Sequence, residues 1–131
     1  MLAIVLLAVA ALAWRYWPAE EEAALGMPMV DVTLPKLTDQ AQEGRSAYIT
    51  YCAGCHGAAA AGRQGIGPPL VHVLYQSGHH GDAAFQLAAL NGTRQHHWQF
   101  GDMPAVKGIN AADVAGIVVY VRELQRANGI E

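Results

Sequence analysis

An all-α domain preceded by an N-terminal apolar helix is the fold this sequence predicts, and three observations carry that reading. No stretch alternates apolar and polar residues as a half-buried strand would. Residues 110–129 read as a capped helix with one apolar stripe. The only two cysteines stand in the pentapeptide Cys52-Ala53-Gly54-Cys55-His56, and C-x-x-C-H is the attachment signature of c-type haem. Two thiols three positions apart lie on adjacent edges of one helical turn, where they can add to the two vinyl groups of a porphyrin. The next residue, His56, then falls under the iron as axial ligand. Rival chemistries fit less well. A structural zinc site needs a second Cys or His pair, and a thioredoxin-like pair belongs near a βαβ pattern. A disulfide at this spacing would not staple distant parts of a fold. One covalent haem c is therefore the expected cofactor.

In chain order, residues 1–17 (MLAIVLLAVAALAWRYW) come first, with no charge in the first fourteen. As a helix they would span about 25 Å, near the lower limit for a bilayer. Trp14, Tyr16 and Trp17 cluster at one end, as rings do at a membrane interface. A cleaved signal peptide ending at Ala11-Leu12-Ala13 competes with this reading, but the basic n-region is missing. The expectation is an uncleaved transmembrane anchor at 1–17. Arg15 alone would argue for the opposite orientation by the positive-inside rule. Residues 18–37, with three prolines and the run Glu20-Glu21-Glu22, read as a linker.

The globular domain is expected over 38–131. Its first helix starts at Thr38 as N-cap and runs to about Tyr51, carrying the haem cysteines at its end. Gly44 inside it marks close approach by a neighbour, expected to be Tyr120, and Tyr48 shares that face. Residues 57–69 are rich in glycine and proline, a loop that something other than its own backbone pairing, a buried haem plane, should order. A middle helix from Asp82 as cap to Leu90 offers Phe85 and Leu90 to the core, with Asn91-Gly92 as terminator. The last helix has Asn110 and Asp113 at its start and the stripe Val114, Ile117, Val118, Val121 and Leu124. Arg122 and Arg126 complement its negative end, and Asn128-Gly129 stop it.

The net charge of −3 is mild and concentrated before the domain. From Thr38 onward seven acidic residues face six basic ones, with no basic stretch of the kind that tracks nucleic acid. No nucleic-acid partner is expected.

Together these residues resemble the mono-haem class I cytochromes c, of the membrane-anchored bacterial type. Gly44, Tyr48 and Cys52 keep that family's N-terminal spacing. Gly67-Pro68-Pro69-Leu70 is similar to its Gly-Pro-x-Leu loop, Gly101-Asp102-Met103-Pro104 to its distal ligand segment, and Tyr120 to its aromatic at the helix crossing. The resemblance implies a cytochrome c fold wrapped around one covalent haem. It implies that His56 Nε2 and Met103 sulfur bind the iron, and that the other His56 nitrogen donates to the Pro68 carbonyl. Trp98 resembles the tryptophan whose indole bonds a haem propionate in small bacterial members, and it is equally readable as a packing aromatic. Haem attachment in such proteins occurs outside the bacterial cytoplasmic membrane, which places the domain on the periplasmic side despite Arg15.

The sequence departs from the family at Val106, which supplies no amide donor to the Met103 sulfur, and in the pairs His79-His80 and His96-His97. Those pairs can be read as metal ligands, as replacements for Met103, as a pH-sensitive docking face, or as solvated loop residues. Two protein ligands leave no position for substrate, so the expected role is one-electron transfer rather than catalysis, with no small-molecule substrate. The porphyrin edge at Cys52 and Cys55, beside Ala58 to Ala61 and Val106, is the expected port. The partner expected is a membrane redox complex, respiratory or photosynthetic, of which this chain is a subunit or tethered companion. A haem-based sensor with a displaceable ligand and a cleaved periplasmic carrier are the alternatives.

Overall fold

Thr38 opens the first described helix as the sequence predicts: its hydroxyl accepts from Ala41 N, and α1 runs Asp39–Tyr51. The computed structural model describes residues 26–131 and the isolated positions 6, 9 and 12. The predicted anchor and the first part of the linker otherwise lie outside the described residues. Among the described residues no helix is long and apolar enough to cross a membrane.

Cys52 ends α1 and starts the short α2, Ala53–His56, so the attachment motif sits on a helical corner. A 3-10 turn at Val73–Tyr75, α3 at Asp82–Asn91 and α4 at Ala111–Ala127 complete the order. No strand is present among the described residues, only the isolated bridges Arg63–Gly67 and Thr93–Met103. The domain is all-α, consistent with the cytochrome c fold.

α4 is the predicted helix to within a residue. Asn110 Oδ1 accepts from the Ala112 and Asp113 amides while Asp113 Oδ2 accepts from Asn110 N, a reciprocal capping box. Its stripe packs on α1, with Tyr48, Ile117, Tyr120, Val121 and Leu124 in one core and Ala89, Val114 and Val118 in a second under α3.

Four expectations are corrected. The residue that meets Gly44 is Gly116, not Tyr120: a Cβ on Gly44 would lie 1.9 Å from Gly116 O. Tyr120 instead packs on Tyr48, with ring centroids 5.2 Å apart. The α1–α4 crossing is a glycine-on-glycine contact, and the two tyrosines meet one turn further on. Asp82 is not the cap of α3. Gly81 holds that place without a side-chain bond, and Asp82 pairs with Arg122 at 2.9 Å. Leu90 is exposed rather than core, while Ala89 is buried. Finally, loop 57–69 does pair its own backbone. His56 O accepts from Gly62 N, Ala60 O accepts from Leu70 and Val71 amides, and Arg63 and Gly67 exchange two bonds. Gly57 and Gly62 hold left-handed φ near 80° and 74°, which that folding requires.

Residues 26–37, expected as linker, lie along the domain as an extended arm. Gly26 N donates to Gln64 O, and Met29 and Val30 both donate to Ala61 O. Thr33 N donates to Asn128 Oδ1 at 2.8 Å while Asn128 Nδ2 returns a bond to Thr33 O at 3.0 Å. Val32 and Leu37 pack against the main core.

Candidate functional site

The site is assembled from the end of α1, the Gly-Pro loop, α3 and the loop that follows it. Cys52, His56, Pro68 and Leu70 line one side of the sequence's contribution, and Thr93, Trp98, Phe100 and Met103 the other. With Ala88 and Ala89 of α3 and Val114 and Ile117 of α4 they enclose a cavity of about 390 Å³ whose lining is mainly apolar. Residues from Cys52 to Ile117 thus reach one space.

His56 is buried, and its Nδ1 lies 2.8 Å from the Pro68 carbonyl. A carbonyl can only accept, so Nδ1 carries the proton and Nε2 keeps a lone pair. Burial lowers the His56 pKa, opposed by the bond to Pro68, so the ring stays neutral, as a metal ligand must. Gly67 has no room for a side chain: its Cβ would lie 2.6 Å from Cys55 O. That contact sets the Gly-Pro loop against the motif and so puts Pro68 O beside His56.

Cys52 and Cys55 are free thiols. Cys52 is half-buried, and burial, then the neighbouring Cys55, pushes its pKa up to about 11. Cys55 is exposed. The unbridged pair offers one thiol at the cavity wall and one exposed three residues on. Met103 is half-buried, its backbone paired with Thr93 in both directions at 2.9 Å. The turn behind that pairing needs Gly92, at φ 77°, where a Cβ would lie 2.7 Å from Met103 O.

Trp98 Nε1 is buried and makes no hydrogen bond of normal geometry, although it lies near enough to the Tyr75 hydroxyl to oppose in part the burial that raises that group's pKa. A buried indole donor left unmet costs about 1–3 kcal/mol, so the position calls for an acceptor supplied by a bound group. This orphan donor, the apolar cavity and the neutral His56 beside two free thiols all fit a haem. Its propionates are carboxylates, and its macrocycle is apolar.

Sequence reasoning missed Arg122 and Gln125. Both lie on the buried side of α4, and Arg122 is not a solvated end charge. Arg122 donates to Tyr75 O, His80 O and Gln125 Oε1, each at 2.6 Å, and to Asp82. Gln125 Nε2 donates to Leu70 O at 2.8 Å and Tyr75 O at 3.0 Å. The two side chains tie the cavity wall from Leu70 to His80 onto α4. Their spacing from Val118 and Val121 was the available signal, since both continue the apolar face. The predicted port is also narrower than expected: Ala60 and Ala61 are buried, leaving Ala58 and, in part, Ala59 at the surface.

The two histidine pairs meet. His79 Nε2 lies 3.2 Å from His97 Nε2, and His80 Nε2 lies 3.3 Å from His96 Nε2. Desolvation by the surrounding groups, then the charges that His96, His80 and His79 would carry, lowers the His97 pKa.

A helical domain with an attachment motif opening on an apolar cavity, and with a methionine loop on the same cavity, defines a c-type cytochrome, an electron-transfer protein carrying covalent haem c. Residues 39–121 match the family described as cytochrome c oxidase, cbb3-type, subunit III, and the chain belongs to that family. No curated protein and no solved structure matches it.

Proposed function

We propose that this chain is a membrane-anchored electron-transfer cytochrome, serving as a subunit or tethered partner of a respiratory or photosynthetic oxidoreductase on the periplasmic side of a bacterial inner membrane. The observation that carries the electron-transfer reading is the shared cavity of Cys52, neutral His56 and Met103. The haem, when bound, supplies a one-electron ferric–ferrous couple. Cys52 and Cys55 would hold it by two thioether bonds, and His56 Nε2 and Met103 sulfur would be the iron ligands. A thioether and an imidazole as the two ligands would favour the ferrous state. The apolar lining excludes water and disfavours added positive charge, which acts in the same direction. Trp98 Nε1 would donate to a propionate. Two protein ligands leave no substrate position, which supports transfer over catalysis.

Membership of the cbb3-type oxidase subunit III family supports an oxidase as the partner. The arm supports a short tether. Only residues 18–25 separate the predicted span from the docked arm, and eight residues reach at most about 29 Å when fully extended. Such a tether serves only a partner held close by in the same membrane. The test is purification of the intact chain from membranes, with identification of companion proteins and optical detection of c-type haem in the same particle. A protein recovered in the soluble fraction with its N-terminus at Trp14 overturns the anchored reading.

A further inference from the structure

Five of the six histidines lie outside the attachment motif and the cavity's proposed ligand pair, and four of these, His79, His80, His96 and His97, come together. His79 and His80 end the wall segment that Arg122 holds, and His96 and His97 lie on the loop leading to Met103. Donor nitrogens of His79, His80 and His97 all lie within 4.8 Å of one another, and His96 Nε2 joins them through His80.

The protonation pattern of one pair is unusual. His80 Nδ1 lies 2.6 Å from Leu74 O, and His96 Nδ1 lies 2.8 Å from Arg94 O. Both carbonyls can only accept, so both Nδ1 atoms carry protons and both neutral rings present bare lone pairs at Nε2. Those two Nε2 atoms face each other at 3.3 Å. Two acceptors at that separation repel unless something positive sits between them. A backbone carbonyl on the far nitrogen is also what orients histidines toward a metal. The nitrogen separations fit as well. Two imidazoles on one tetrahedral zinc, at about 2.0–2.1 Å each, stand roughly 3.3–3.4 Å apart, against 3.2 Å and 3.3 Å here.

We propose that His79, His80 and His97, with His96 completing the set, bind one divalent first-row transition-metal ion of the zinc, copper or nickel class. An all-imidazole donor set without carboxylates selects these ions over calcium or magnesium. His80, His96 and His97 also line the mouth of the haem cavity. A bound ion would therefore clamp the wall segment to the Met103 loop and hold that loop closed over the cavity.

The test is calorimetric titration of Zn²⁺ into the intact haem-loaded protein after chelator treatment, beside the His79→Gln/His97→Gln double variant. One Zn²⁺ per chain is expected, with affinity at least tenfold weaker in the variant and a zinc-dependent rise in melting temperature seen only in the wild type. Both residues are exposed, and an unchanged haem absorption spectrum checks that the variant is folded. X-ray absorption at the zinc edge of the wild type reads the ligands without any variant: a shell of three or four imidazole nitrogens supports the site. Absence of saturable binding, equal affinity in the variant, or an oxygen-dominated shell overturns it, and the rings then share a proton instead.

Discussion

Met103 and Trp98 reach the cavity from one loop, and each carries a separable prediction. The proposal that Met103 sulfur is the sixth ligand predicts that Met103→Ala abolishes the weak far-red charge-transfer band of methionine-ligated ferric haem and lowers the midpoint potential. A spectrum unchanged from wild type would assign the position to a histidine, and His96 and His97 border the same cavity. Trp98→Phe keeps the ring and removes the orphan Nε1 donor. Holoprotein stability should fall by about 1.5–3 kcal/mol in denaturant melts, the worth of a hydrogen bond to a charged group. A loss below 0.5 kcal/mol would make Trp98 a packing aromatic only. His56, Cys52 and Cys55 were legible because their chemistry is compressed into five residues. Trp98 was legible only as one of two readings, because an unmet donor is a property of its surroundings.

Between elements, the α1–α4 crossing is asymmetric in a way that melts can read. A Cβ on Gly44 would lie 1.9 Å from Gly116 O, a backbone atom that cannot turn aside. Gly44→Ala should therefore cost about 2–4 kcal/mol by forcing the helices apart. A Cβ on Gly116 finds Gly44 Cα at 3.4 Å, an ordinary contact. Gly116→Ala should be neutral or stabilising by up to about 1 kcal/mol, through helix propensity. Equal losses for the two would misplace the crossing. The Arg122 strut gives a second contrast. Arg122→Met leaves Tyr75 O and His80 O without their guanidinium donor, and a loss of about 2–4 kcal/mol is expected. Asp82 is 69 % exposed, so Asp82→Asn should cost under about 1 kcal/mol. The sequence read Arg122 as a charge at the negative end of α4, because no local pattern shows which distant carbonyls a side chain will serve.

At the scale of the whole molecule, the arm joins the predicted anchor to the haem domain. A chain starting at Gly26 keeps the bonds from Met29 and Val30 to Ala61 and from Thr33 to Asn128, and the packing of Val32 and Leu37. A chain starting at Thr38 loses all of them. Exported behind a foreign signal, both should carry haem, and the shorter one should be less stable by about 2–4 kcal/mol in thermal or denaturant melts. Equal stability would mean that the arm contributes nothing. Mass spectrometry of the denatured protein should show the polypeptide plus one haem, and a mass without it would refute covalent attachment. The intact chain should stay with membranes through a high-salt wash, which releases proteins held only by charge.

Local patterns were enough to determine the helical class, the caps at Thr38 and Asn110, and the attachment motif. Each depends on residues within one or two helical turns of each other, and short-range sterics and hydrogen bonding decide such features. Tertiary structure alone decided that Gly44 meets Gly116, that residues 26–37 dock rather than swing free, and that Arg122 braces the cavity wall. It also decided that His79 and His80 meet His96 and His97. Those outcomes depend on where distant segments come to lie once α1 and α4 have packed, and no local periodicity encodes that distance.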